Sequence, residues 1–371
     1  MINKRLLFLS GLAILAVVMN HASYSGFIAM FWWTDKYLPV TVPNFDQMGS
    51  LAYYGLVAQQ KLAVFSVAAF LFITGMFLSY AERGSQTHLT WAMVWRRILN
   101  LLPPYLIWTV VYYAVEFMIG NRYTPLEYLL GIVTISRSVF FFIPLVIVYY
   151  AISPWLAPLA KKRPVLLLSI GGLALLMGIL TGYLRFFARL NEVSDSFFFT
   201  PLSYFMERQF FEYFFYYVLG LVAGFYQPQL KAFIGRYRWV LLGLVVLAAA
   251  AAVFEAEYVF QSMEFMWRSR TLTLPSAIYS ISFILAFLAF DKVTLPGILY
   301  QLGVNTLGIY LIHKTVLLIA PKVVYNLLPF ILGIQWLYQP LLIATAIGVP
   351  MLAMMATRKL PIRKYYRYLF G

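Results

Sequence analysis

Long apolar runs separated by polar joints, basic at every second one, make up most of the chain. A run of about 20 apolar residues spans a bilayer core as a helix. By that measure the pattern predicts ten helices, at about 6–29, 53–80, 96–119, 138–160, 164–184, 207–227, 238–256, 272–290, 298–320 and 335–357. The fourth is the ambiguous one, because "YLLGIVTISRSVFFF" reads either as the outer end of a longer span or as a re-entrant segment. The expected fold is all-α: a polytopic transmembrane bundle forming one integral-membrane domain over residues 1–371, with no hydrophilic stretch long enough for a soluble domain.

Composition agrees with the pattern. Hydrophobic residues make up 63% and charged ones 11% of the chain, against about 25% charged in soluble domains. Mean hydropathy is +0.80. The net charge of +15 would raise the question of nucleic acid in a soluble protein. Here it sorts by loop. With the N-terminus in the cytoplasm, alternate joints hold most of the basic residues, among them Lys4, Arg5, Arg96, Arg97, Lys161 to Arg163, Lys231, Arg236 and Arg358, and only Glu82 and Asp291 as acids. The positive-inside rule then sets both termini in the cytoplasm of a multi-pass inner (plasma) membrane protein, with lipid and not nucleic acid as its surroundings. The first run is long, lacks a small-x-small exit and reads as an uncleaved helix. At the other end, "TRKLPIRKYYRYLFG" (about 358–371) combines basic and aromatic residues, as an anchor on an anionic inner leaflet would.

Candidate chemistry begins in the first helix. His21 lies roughly 22 to 24 Å from Lys4-Arg5 along the axis, at membrane depth, where an ionisable side chain is a functional candidate by default. The plain alternative is an interfacial cap beside Asn20 and Ser23. Cysteine is absent, so disulfides and thiol catalysis are excluded. His21, His88 and His313 are too dispersed in sequence to suggest a metal site, and none is expected. Other polar residues in apolar surroundings are Lys61, Glu116, Arg137, Arg208, Glu212 and Lys314. Arg208 and Glu212, at i and i+4, read as a local ion pair. Glu116 is a candidate orienter of an imidazole only if the fold brings it to one. Gly220-x-x-x-Gly224 reads as close helix packing.

Four stretches resemble the acyltransferase-3 family of polytopic membrane enzymes, which O-acylate extracytoplasmic glycans and other acceptors. "FLSGLAILAVVMNHA" is similar to the family's first helix, with His21 at its histidine and Ser10 at the position of its arginine. "VFSVAAFLFITGMFLSY" is similar to its aromatic second helix, with Thr74-Gly75 at the small pair. "WRRILNLLPPYLIW" matches a basic motif through Arg96, Arg97, Pro104 and Tyr105, with Asn100 in place of the second arginine. "LGVNTLGIYLIHKTV" is similar to the late motif through Gly303, Asn305, Tyr310, Leu311 and His313.

The resemblance implies an acyltransferase using cytoplasmic acyl-CoA, acetyl-CoA first, as co-substrate and no permanent cofactor. The acceptor would be a polysaccharide or lipid-linked glycan hydroxyl. His21 would be the general base, Arg96, Arg97 and Asn100 would bind donor, and Asn20, Tyr310 and His313 would line substrate. The residues alone leave Arg96 and Arg97 open as membrane anchors, and Tyr310 and His313 open as a buried pair that locks its helix. With no Gly-x-Ser-x-Gly elbow and no cysteine, direct transfer is expected over an acyl-enzyme. The rival functions are a transporter or flippase for a glycan precursor, and a scaffold subunit of a polysaccharide assembly. The sequence does not set the oligomeric state.

Overall fold

The computed structural model of the chain describes residues 2–32, 49–84, 89–135, 137–190, 209–263 and 272–371. His88, Arg208 and the start of the expected sixth helix lie outside them. All regular structure among the described residues is helical. Eight stretches there are long and apolar enough to cross a membrane: Lys4–Phe31, Leu51–Ala81, Trp91–Met118, Phe142–Lys162, Pro164–Leu184, Arg238–Ser262, Thr306–Leu327 and Gln335–Lys359. Two shorter apolar helices, Phe210–Phe225 and Leu274–Ala289, stand where the sixth and eighth are expected.

In chain order the helices are α1 (Ile2–Phe27, continued by a π turn Ile28–Trp32), α2 (Leu51–Leu62), α3 (Phe65–Gly84), α4 (Trp91–Met118), α5 (Pro125–Val133) and α6 (Phe142–Lys162). They continue as α7 (Pro164–Leu190), α8 (Gln209–Phe225), α9 (Gln227–Arg236), α10 (Arg238–Met263), α11 (Leu274–Ala289), α12 (Gly297–Val304), α13 (Thr306–Leu327), α14 (Gln335–Lys359) and α15 (Tyr366–Phe370).

Two differences from the expected pattern have local causes. The expected fourth span stands as Phe142–Lys162, and the ambiguous residues before it begin in a separate short helix, α5. Thr124 and Glu127 close a reciprocal capping box at its start, with Pro125 in the first turn. The ninth expected span breaks at Asn305. There the Asn305 carboxamide joins its own backbone N–H on the Gln301 carbonyl, at 2.8 Å, and the Thr306 hydroxyl donates to Gly303 at 2.8 Å, so side chains share the carbonyls of the helix ladder.

The chain forms two compact units. One comprises Met1–Leu6, Val67–Leu102 and Tyr123–Thr294. Within it α10 packs along α11, and α7 along α8. α3 meets α8 through glycines: a Cβ on Gly75 would strike the Tyr217 carbonyl, one on Gly220 the Phe72 carbonyl, and one on Gly224 the Ser79 hydroxyl. The expected packing role of Gly220 and Gly224 therefore holds, and Gly75 completes it. Beside this contact the Tyr149 and Tyr217 rings stack at 4.9 Å, and Tyr217 shares a 2.6 Å hydrogen bond with Ser153.

Arg5 also belongs to this unit. Its guanidinium donates to the carbonyls of Phe287, Phe290 and Val293 and lies 4.2 Å from the centre of the Phe287 ring. It thus closes the carbonyl end of α11, where a cation also meets the negative pole of the helix.

The other unit comprises Leu7–Ser66, Pro103–Arg122 and Leu295–Gly371. Its boundary in α4 falls at Pro103 and Pro104, where the helix loses two amide donors. α13 and α14 pack side by side. α1 closes on α12 through Gly11 and Gly303, whose absent side chains leave room for the Leu299 and Leu7 carbonyls respectively. The C-terminal tail is tied down at both ends. Arg358 donates to Asn305 Oδ1 at 3.0 Å and to the Tyr366 hydroxyl, and the Trp108 indole donates to the Leu369 carbonyl at 2.8 Å over a buried Phe370.

Candidate active site

Within this second unit α1 and α13 bring His21 and His313 together, their ring centres 5.3 Å apart and tilted by 37°. His313 is wholly buried. Its Nδ1 lies 2.7 Å from the Tyr310 carbonyl and 3.2 Å from that of Ile309, one turn back on its own helix. A carbonyl only accepts, so Nδ1 carries the proton, and in the neutral ring Nε2 presents a lone pair. That Nε2 is buried with no hydrogen-bond partner. His21 differs from it: the residue is partly exposed, and among the described residues no side chain hydrogen-bonds either nitrogen.

Two more polar atoms of this unit, Gln60 Oε1 and Thr315 Oγ, are also buried without a partner. Leaving such a group unsatisfied costs about 1–3 kcal/mol. These three atoms are groups that a polar ligand or an ordered water could satisfy. Two lysines belong to the same unit. Lys314 follows His313 and acts electrostatically on both imidazoles, while Lys61, on α2, is 1% exposed.

Polar side chains set the height of α1 against its neighbours. The Asn20 carboxamide donates to the Gln60 carbonyl at 3.4 Å. Gln59 Nε2 donates both to the Met19 carbonyl, at 2.9 Å, and to Gln339 Oε1, at 3.0 Å. Gln339 Nε2 donates to Gln335 Oε1 at 3.1 Å, and Gln335 Nε2 reaches the Gly26 carbonyl at 3.4 Å and that of Leu332 at 3.1 Å. The run of carboxamides thus leaves α1 just before His21 and returns to it five residues after. A Cβ on Gly26 would meet the amides of both Gln335 and Gln339, so a side chain there would displace the end of the run.

A family model described as an acyltransferase domain matches residues 6–355. The chain belongs to the acyltransferase-3 family. It is a multi-pass membrane acyltransferase by this membership and by its apolar helices. No curated protein and no solved structure matches it.

For an acyltransferase-3 protein, several sequence expectations are now located. His21, Asn20, Tyr310 and His313 belong to one unit; the Tyr310 ring lies 5.7 Å from that of His313, and its carbonyl fixes the His313 tautomer. Ser10, at the family's arginine position, is buried. Arg96, Arg97 and Asn100 belong to the other unit, on the first part of α4. Arg96 and Asn100 are exposed, one turn apart, and the Arg97 guanidinium carbon lies 5.8 Å from the centre of the Tyr150 ring. Glu116 faces no imidazole among the described residues: its carboxylate accepts from Tyr112 at 2.7 Å and from Asn121. Residue-by-residue reading passed over Gln59, Gln335 and Gln339. Their signal was available as carboxamides in apolar helices, two of them spaced i and i+4.

Proposed function

We propose that this protein is an O-acyltransferase that moves an acyl group, acetyl first among the candidates, from cytoplasmic acyl-CoA to a hydroxyl of an extracytoplasmic polysaccharide or lipid-linked glycan. The reading takes both termini as cytoplasmic in the inner membrane. The observation that carries it is the histidine pair inside the membrane-spanning helices, one imidazole locked in a single tautomer and the other, on a partly exposed residue, unheld.

In this reading His21 takes the proton of the acceptor hydroxyl as its oxygen attacks the thioester carbonyl. The ester C–O bond forms, the C–S bond breaks, and the thiolate of coenzyme A leaves. Lys314 supplies positive charge near the imidazoles, where the attacked carbonyl develops its negative oxygen; it stands in for the charge that Ser10 does not carry. His313, with Nδ1 engaged, offers Nε2 as an acceptor to whatever donor reaches the pair. Arg96, Arg97 and Asn100 would take the phosphates of the donor, a role suited to guanidinium geometry.

The test is transfer of labelled acetyl from acetyl-CoA to a panel of glycan acceptors by the protein in nanodiscs. Donor-dependent transfer or donor hydrolysis is expected, and it should be lost in a folded His21→Ala variant. Activity unaffected by His21→Ala would remove the base from this mechanism. An Arg96→Ala/Arg97→Ala protein with unchanged KM for acetyl-CoA would remove the donor assignment.

A further inference from the structure

The geometry points to a carbohydrate-binding pocket between α2 and α14, built to hold one uncharged sugar ring of the acceptor through Gln59, Gln339 and Trp336. A cavity of about 220 Å³ opens there, lined by these residues together with Gln335, Leu56 and Ile343. It is smaller than the roughly 300–1,000 Å³ of sites for drug-sized ligands, which suits a single ring. The inference rests on the acyltransferase reading for its purpose, because the run of carboxamides that forms its wall is bonded to α1 at Met19 and Gly26, on either side of His21.

Hydrogen-bond arithmetic identifies the ligand. A carboxamide has two N–H donors and an oxygen with two lone pairs. Gln59 spends both donors, on Met19 and Gln339, and keeps its oxygen. Gln339 spends one donor on Gln335 and one lone pair on Gln59, and keeps one of each. Gln335 spends both donors on carbonyls. Gln335 Oε1 accepts only from Gln339, so the wall retains acceptors on three residues and a donor on one, the complement of adjacent hydroxyls, which donate and accept at once. An acyl chain in the same place would leave these groups without partners.

The lining holds no charged side chain, which disfavours a phosphate or carboxylate ligand. Trp336 is 71% exposed and borders the same space, and an indole is an aromatic surface suited to packing on the C–H side of a ring.

The chain has no cysteine, so a single introduced thiol reports on the pocket without turnover. Ala52→Cys and Ile343→Cys, both on the lining, would be labelled with a maleimide in nanodiscs. The probes are methyl pyranosides and N-acetylglucosamine, with acetyl-CoA and a short-chain phosphatidylcholine as comparisons. Neutral pyranosides should slow labelling at one or both positions, about fourfold when the sugar is at about three times its Kd. The protection should disappear on adding Gln339→Leu or Trp336→Ala, in proteins that keep the parent's thermal transition, and acetyl-CoA should leave the labelling unchanged.

Lack of protection by every pyranoside at both positions would overturn the proposal, as would protection by the phospholipid alone. Protection without acetyl transfer to any acceptor would keep the pocket and sink the enzymatic reading. Transfer whose acceptor KM is unmoved by Gln339→Leu would do the reverse.

Discussion

His313 presents to His21 an imidazole whose proton position is dictated by its own helix. The Tyr310 carbonyl, 2.7 Å from Nδ1, holds the proton there and leaves Nε2 as the ring's one uncommitted nitrogen. His313→Ala removes that acceptor and opens a void beside His21, whereas His313→Gln keeps polar atoms at comparable reach. Both should lower kcat with little change in the KM for acetyl-CoA, by about 10- to 100-fold for Gln and more for Ala. His21→Ala should cost about 10²- to 10⁴-fold, the usual contribution of a general base. Steady-state kinetics of the three variants, beside their thermal transitions, checks the order; a His313→Ala enzyme with normal kcat would reduce that residue to packing.

Arg5 carries a stability prediction. It donates four hydrogen bonds to three carbonyls at the end of α11. Arg5→Met would leave those carbonyls without this partner, and the loss should reach about 3 kcal/mol, since bonds from a charged donor contribute about 1.5–3 kcal/mol each and are not additive. Arg5→Lys should recover only part of it, because one ammonium cannot span the three acceptors. Thermal unfolding in nanodiscs would show the order wild type, Lys, Met; an Arg5→Met protein as stable as the parent would demote the contact to an ordinary positive-inside charge.

The α3–α8 contact predicts a ranking between two glycines. A methyl on Gly220 meets backbone, the Phe72 carbonyl, whereas one on Gly224 meets first the Ser79 hydroxyl, a side-chain atom that can turn away at the cost of its hydrogen bond to the Met76 carbonyl. Gly220→Ala should therefore destabilise more than Gly224→Ala. Overpacking of this kind costs about 1–3 kcal/mol when backbone has to move. Equal melting temperatures for the two variants would mean that the helices part more easily than the close contact implies.

Trp108 governs the tail. Its indole N–H reaches the Leu369 carbonyl, while Arg363, Lys364 and Arg367 nearby are exposed to a protease. Trp108→Phe removes one neutral hydrogen bond, worth about 1 kcal/mol. If cleavage follows the population of the detached tail, trypsin should cut there about fivefold faster. An unchanged rate would show that Phe370 and the Arg358–Asn305–Tyr366 contact hold the tail by themselves.

The helical plan was legible because its cause is local: a bilayer demands runs of apolar residues, and expected segments such as 164–184 and 335–357 agree with the observed spans within a few residues. What escaped depends on tertiary partners. Nothing in the run that contains Arg5 distinguishes an interfacial anchor from a residue that closes a helix nearly three hundred positions away. Asn305 carries no signal for a helix break until its carboxamide is seen on Gln301. Of the site, His21 was visible as an ionisable residue at membrane depth, and Tyr310 and His313 through the resemblance of their stretch to the family's late motif. The three glutamines were not singled out because an uncharged amide is cheaper to place in a membrane helix than an ion, and so draws less attention.

That same neutrality sets how the pocket should respond to its surroundings. The carboxamides of Gln59, Gln335 and Gln339 neither gain nor lose protons anywhere between pH 4 and pH 10, and they gather no counterions. Sugar protection at the introduced thiols, corrected for the reactivity of the thiol itself, should then stay flat across pH and from low to high ionic strength while catalytic turnover changes with the imidazoles. An enzyme arranged in this way would hold its acceptor equally well in acidic or saline surroundings, and would leave those surroundings to govern only how fast the acyl group moves.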